Sequence, residues 1–181
     1  YYYTMTAGSS SLDQTRQRIV LQALYEHYRS EQLGAVGYRG TEAKDGTDYT
    51  ATIGEQWCSE FYSWVGCECK LKRIRRLSNA DKLTRYFTET GRYDAAKQTR
   101  SWPKLLRETA RPGDYVRTSG HSAMFLAYDR SNDTVLTVDG NSDRRMREGG
   151  RRYGGNEVVI RRRKPTHYVG FGRISPRQIR R

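Results

Sequence analysis

The chain is poor in proline (4), cysteine (3) and methionine (3), is short of acidic residues, and has no long apolar run. Without ~18 consecutive apolar residues it offers no membrane-spanning helix. Three cysteines make no disulfide scaffold, and the odd number leaves at least one thiol free or paired with another chain. Cys67 and Cys69 have no partners at zinc-site spacing, so the sequence asks for no metal and for no other cofactor. Lys and Arg number 33 against 20 Asp and Glu, a net charge of +13. That surplus favours a polyanion (nucleic acid, anionic lipid or an anionic bacterial wall) unless it serves solubility alone. No dedicated nucleic-acid module is recognisable, which argues against nucleic acid as the partner.

Large aromatic side chains compensate for a hydrophobic content of 35%: 14 Tyr, 4 Phe and 3 Trp supply the apolar area of a core. A length of 181 residues suits one domain, read as 11–181 behind a loose tail at 1–10. The chain opens on Tyr1-Tyr2-Tyr3 rather than Met, which reads as a mature or trimmed product.

A helix is expected from Ser11 to just before Gly34. Ser11 and Gln14 stand at capping-box spacing, and Leu12, Ile19, Val20, Ala23 and Leu24 form its apolar stripe. The glycines of residues 34–54 predict a long loop. A second helix is expected over Gln56–Glu68, a third from Ser78 and Asp81 to Gly91, and a short one at Ser101-Trp102-Pro103. After the turn signal Arg111-Pro112-Gly113-Asp114 come strands at Tyr115-Val116, Ala123–Tyr128, Val135–Val138, Val158–Ile160 and Tyr168–Ile174. Ser131-Asn132-Asp133 is the hairpin turn, and residues 143–157 are an extended loop. Helices followed by neighbouring strands predict an α+β fold with an antiparallel sheet.

Cys58 falls in the first turn of the second helix. The unpaired N–H groups and partial positive charge of a helix start favour a thiolate, and the same N–H groups can hold an oxyanion. A small buried cysteine is the plain alternative. His121, beside Gly120 at the start of an apolar strand, is placed as a base for such a thiol. His27, among helix charges, and His167, in a turn, are weaker candidates. In Val138-Asp139-Gly140-Asn141, at the end of the next strand, Asp139 or Asn141 can orient the imidazole, although Asp-Gly-Asn is also an ordinary turn. Gln56 and Trp57, just ahead of the nucleophile, are candidates for oxyanion and substrate contacts.

The segment Gln56-Trp57-Cys58-Ser59-Glu60-Phe61-Tyr62-Ser63-Trp64-Val65 resembles the nucleophile helix of CHAP and NlpC/P60 proteins. Arg111-Pro112-Gly113-Asp114-Tyr115-Val116 resembles their Pro-Gly-Asp lead-in to the sheet, and Gly120-His121-Ser122-Ala123-Met124-Phe125 their histidine strand. Val138-Asp139-Gly140-Asn141 resembles the acid-x-Asn element of CHAP domains, with Asp where many carry Glu. The resemblance covers roughly residues 50–172. It implies a papain-like α+β core and a cysteine amidase or endopeptidase acting on peptidoglycan, with Cys58, His121 and Asp139 or Asn141 as its catalytic group. It also implies a secreted, periplasmic or wall-associated protein, with an inhibitor or immunity protein among its candidate partners. Arg144, Arg145, Arg147, Arg151, Arg152, Arg161, Arg162, Arg163 and Lys164 lie outside what the family shares, and read as wall attraction or a solvated face. Two rivals share the same residues: an acyltransferase or transglutaminase-type toxin on this core, and a basic module that binds wall or nucleic acid without cutting it.

Overall fold

Ser10, one residue ahead of the expected cap, starts the first helix. Its Oγ accepts from the Asp13 N–H at 3.1 Å and donates to Asp13 Oδ2 at 2.5 Å, so the cap is Ser10, bonded to Asp13, rather than a Ser11–Gln14 box. The computed structural model describes residues 10–33, 57–75, 77–142 and 157–180. Apart from Ser10 the expected tail lies outside these residues, as do the loop at 34–54 and all but Glu157 of the Gly/Arg-rich loop.

Helix α1 spans Ser11–Leu33, α2 Cys58–Glu68, α3 Ala80–Thr90 and α4 Trp102–Thr109. Strands β1 (Arg92–Ala95), β2 (Tyr115–Thr118), β3 (Ser122–Asp129), β4 (Thr134–Ser142), β5 (Glu157–Arg163) and β6 (Tyr168–Arg173) form one sheet in the order β1-β6-β2-β3-β4-β5. Every pairing is antiparallel. The chain is therefore α+β, as its element order predicts.

The two faces of the sheet carry separate apolar clusters. Ile19 and Ala23 of α1, Phe61, Tyr62 and Val65 of α2, and Leu83 and Phe87 of α3 pack on Tyr115, Met124, Val138 and Val158. Trp102 and Leu106 of α4 cover Val116, Phe125, Val135 and Phe171 on the opposite face. The third helix is capped by Asn79, whose side chain accepts from the Lys82 N–H, and stops at Gly91.

Strand β1 was not expected. Its four residues are too short and polar to show a period. Pairing with β6 creates it, and Asp94 holds Arg92 at 3.1 Å and Arg173 at 2.9 Å.

The Pro-Gly-Asp lead-in is an anchor for two helices. Gly113 sits at φ 90°, and its carbonyl accepts from the Tyr62 hydroxyl of α2 at 2.9 Å. Asp114 is fully buried and accepts from Arg16 of α1 at 2.7 Å, from the Ile174 N–H at 2.9 Å and from the Arg111 N–H at 2.8 Å. These bonds fix the start of β2 and, through it, the ends of the strands that carry the candidate site.

Candidate functional site

Cys58 is the first residue of α2, where the backbone N–H groups lack intrahelical partners. Trp57 precedes it with its ring buried and edge-on to Phe61 at 6.2 Å. The structure thus places Trp57 in the core rather than on an open substrate surface. Gln56 lies outside the described residues.

The other end of the pair comes from β3. His121 is buried immediately before Ser122, and the two sequence neighbours meet their counterparts: Ser59, after Cys58, and Ser122, after His121, have their hydroxyls 2.7 Å apart. Ser122 is also 3.1 Å from the Tyr115 hydroxyl. This buried hydroxyl chain ties the start of α2 to β2 and β3.

The third member is decided by β4, which does not turn at Asp139-Gly140-Asn141 but continues to Ser142, with a register shift between Asp139 and Ser142. Asn141 takes up that shift at φ 54°, a left-handed conformation that asparagine tolerates. Gly140 lets β4 approach α2 closely. A Cβ there would stand 2.6 Å from Phe61 Cβ and 2.8 Å from the Trp57 ring. Asp139 Oδ2 lies 2.9 Å from His121 Nε2, so Asp139 is the group hydrogen-bonded to the imidazole. Asn141 is buried nearby in the strand. With Nε2 engaged by Asp139, Nδ1 is the nitrogen left to serve the thiol.

Two further residues complete the site, neither expected from the sequence. Arg163 Nη2 donates to Asp139 Oδ2 at 2.6 Å and Nη1 to Thr137 Oγ1 at 3.2 Å, while Thr137 Oγ1 donates to Asp139 Oδ1 at 2.5 Å. In sequence Arg163 is one of a run of three arginines that reads as a solvated face. The register narrows it: Val135 opposes Arg163 and Thr137 opposes Arg161, so both share the β4 face that carries Thr137 and Asp139 while Arg162 lies on the other, and the hydrogen bonds fall to Arg163.

The electrostatics follow from these contacts. Burial pushes the Cys58 thiol up, but the hydrogen bond and charge of His121, the Ser122 N–H and the Ser59 side chain outweigh it, and the net shift is downward. Burial pushes His121 down, but its hydrogen bonds and charge interactions with Asp139 and Cys58 raise it to about 9. Burial disfavours the Asp139 carboxylate, yet the Arg163 guanidinium and His121 hold it well below the usual carboxylate range. Arg163 is pushed up in turn, because Asp139 outweighs the burial that opposes its charge. All four shifts favour the charged forms, whose signs alternate from Cys58 through His121 and Asp139 to Arg163, so that each neighbour stabilises the next.

The remaining cysteines pack in or against the apolar core, and the remaining histidines lie elsewhere. Cys69 is pushed up to about 11, chiefly by burial, and is no nucleophile. His27 Nδ1 lies 2.8 Å from the Val158 carbonyl, tying α1 to β5, and His167 closes a short 3-10 turn at Pro165–His167. Among the described residues no group of His, Cys, Asp and Glu is placed to hold a metal ion, and no helix is long and apolar enough to cross a membrane. In comparisons with known proteins the chain matches no family model, no curated protein and no solved structure.

Proposed function

We propose that the chain is a papain-like cysteine hydrolase that cuts an amide bond in bacterial peptidoglycan. The observation that carries the chemistry is the alignment of a helix-start thiol, a buried histidine within reach of it, and a carboxylate 2.9 Å behind that histidine. The amide class follows from the mechanism such a group performs, and peptidoglycan from the four family-like motifs together with the net charge of +13.

In this mechanism the Cys58 proton resides on His121, and the thiolate sulfur attacks the substrate carbonyl carbon. Backbone N–H groups at the start of α2 receive the oxyanion. His121 returns its proton to the leaving amine as the C–N bond breaks and a thioester remains. Water, losing a proton to His121, then releases the acid and restores the thiol. Asp139 fixes the imidazole's orientation and supports its charge, and Arg163 with Thr137 fixes Asp139.

The deciding experiment is mass spectrometry of soluble fragments released from purified peptidoglycan by the protein and by its Cys58→Ala variant. Fragments that appear only with the intact thiol support hydrolysis, and their masses name the bond. Release by neither protein from several wall types would sink the peptidoglycan substrate. One observation favours a second reading. Cys58 is only 8% exposed, and a thioester shielded from water lives long enough to meet an amine. Acyl transfer predicts an amine-linked product when a primary amine is added to the same assay.

A further inference from the structure

Helix α2 ends in a turn whose conformation favours a residue other than the one it contains. The Lys70 N–H donates to the Cys67 carbonyl at 3.0 Å and the Leu71 N–H to the Gly66 carbonyl at 2.8 Å, the pattern of a Schellman stop. The left-handed position of that stop suits glycine, yet it is occupied by Lys70 at φ 69°. Arg73, three residues on, is left-handed too, at φ 57°.

The C-terminal segment returns antiparallel against this turn. Leu71 bridges Ile179, the Lys72 N–H donates to the Gln178 carbonyl at 2.7 Å, and the Arg180 N–H donates to the Lys70 carbonyl at 2.9 Å. This pairing sets Lys70 across from Arg180, with Lys72 and Arg177 beside them. Like charges facing one another across such a pair repel. Lys70, Lys72, Arg73, Arg75, Arg177 and Arg180 are all exposed, and none of them forms an ion pair among the described residues. The negative end of the α2 dipole favours the cations of the turn itself. It accounts neither for Arg177 and Arg180, which arrive from the far end of the chain, nor for the facing of like charges.

We propose that this face docks a base-free phosphodiester polymer, the poly(polyol phosphate) class of anionic wall polymer, ~15 Å from Cys58 at the other end of α2. Cations on two adjoining backbone segments match a row of phosphates. The exposed large apolar side chains of the described residues are Leu21, Tyr25, Tyr28 and Ile160. None lies in this turn, so it offers no aromatic platform for bases, and a nucleic-acid strand would find only phosphate contacts and arginine planes. The choice of a wall polymer rests on the proposed wall hydrolase. The face would hold the enzyme on the wall while leaving the start of α2 clear for the peptide.

The test is fluorescence anisotropy of labelled poly(glycerol phosphate) with the full chain over a salt series. The variant Lys70→Gly/Lys72→Gln/Arg180→Gln removes three charges, and Lys70→Gly suits the left-handed backbone. The slope of log affinity against log salt should then fall by about two. The control Lys97→Gln/Arg100→Gln/Lys104→Gln, which removes three charges elsewhere on the surface, should change it far less. Equal weakening by both variants would show that net charge, and not this face, does the binding. Stronger competition by single-stranded DNA of equal charge would replace the polymer with nucleic acid. Fragment release from wall stripped of its phosphodiester polymer reads the Cys58 chemistry alone. Its absence would sink the hydrolase while the binding result stood.

Discussion

The hydroxyls of Ser59 and Ser122 lie 2.7 Å apart, and these residues immediately follow Cys58 and His121. The hydrogen bond therefore joins the two chain segments that carry the proposed nucleophile and base, one on the first turn of α2 and one on β3. Ser122 also meets Tyr115, so a single small side chain holds a helix and two strands in register beneath the site.

Ser122→Ala should lower unfolding stability by ~1–3 kcal/mol, because the Ser59 and Tyr115 hydroxyls lose a buried partner. It should also slow alkylation of Cys58 by iodoacetamide, since the thiol and imidazole lose their common tether. Denaturant unfolding and alkylation rates read the two effects separately. Unchanged alkylation in a destabilised variant would restrict Ser122 to packing.

Alkylation should also report the charge pair directly. Cys58 is shifted downward and His121 upward to about 9, so the rapid-reacting thiolate–imidazolium pair should already be formed at neutral pH. The alkylation profile of the wild type should show this pair giving way to a thiolate beside neutral imidazole near pH 9. A single rise at the ordinary thiol pKa of ~8.5 would contradict the pair.

The same shifts make stability depend on pH. His121 binds its proton more tightly in the folded chain than in the unfolded one. Its contribution is complete below the ordinary histidine value of 6.5 and is lost as pH rises through about 9. Asp139 is shifted the opposite way, so its contribution is present above ~4 and lost on further acidification. Cys58, shifted downward, gains folded-state stability over the same range and opposes this loss, so the slope is read in Cys58→Ala, whose urea midpoints should fall as pH rises above 6.5. Asp139→Asn should flatten that slope, because the carboxylate that raises His121 is gone.

Asp139→Ala should impair fragment release more than Asn141→Ala, because Asp139 is the residue bonded to His121. Arg163→Met should leave the buried Asp139 carboxylate with His121 as its remaining charged partner and cost about 1–3 kcal/mol. Arg163→Lys keeps the charge but not the fork to both Asp139 and Thr137, so it should fall between the two. Equal stability of Arg163→Met and wild type would remove Arg163 from the site.

Gly140→Ala should push β4 away from α2, since the new methyl meets Phe61 and Trp57 inside van der Waals contact. A loss of ~1–3 kcal/mol is expected. Phe61→Ala in the same chain removes the Cγ and ring that the methyl meets, and should restore part of the Cys58 alkylation rate. Absence of any recovery would mean that the close approach of strand and helix is not what glycine provides.

Much of the scaffold is local in origin and could be read from the chain. The α1 stripe, the stop at Gly91, the turn at Arg111–Asp114 and the Ser131–Asp133 hairpin depend on neighbouring residues and their periods. Cys58 and His121 were legible as candidates because a helix start and a strand start are sequence features.

Their partners were not, because hydrogen bonds across 18 or 24 positions depend on strand register. The sequence could not choose between Asp139 and Asn141. The pairing of β3 with β4 brings Asp139 to His121, and the register shift follows it, between Asp139 and Ser142. Nor could it separate Arg163 from its neighbours Arg161 and Arg162. Pairing with β4 puts Arg161 and Arg163 on the Asp139 face and Arg162 on the other, and of the two it is Arg163 that bonds Asp139. Strand β1 and the facing of Lys70 and Arg180 exist for the same reason. Chain composition and local period set which elements form, while the free energy of burying them together sets which charges meet.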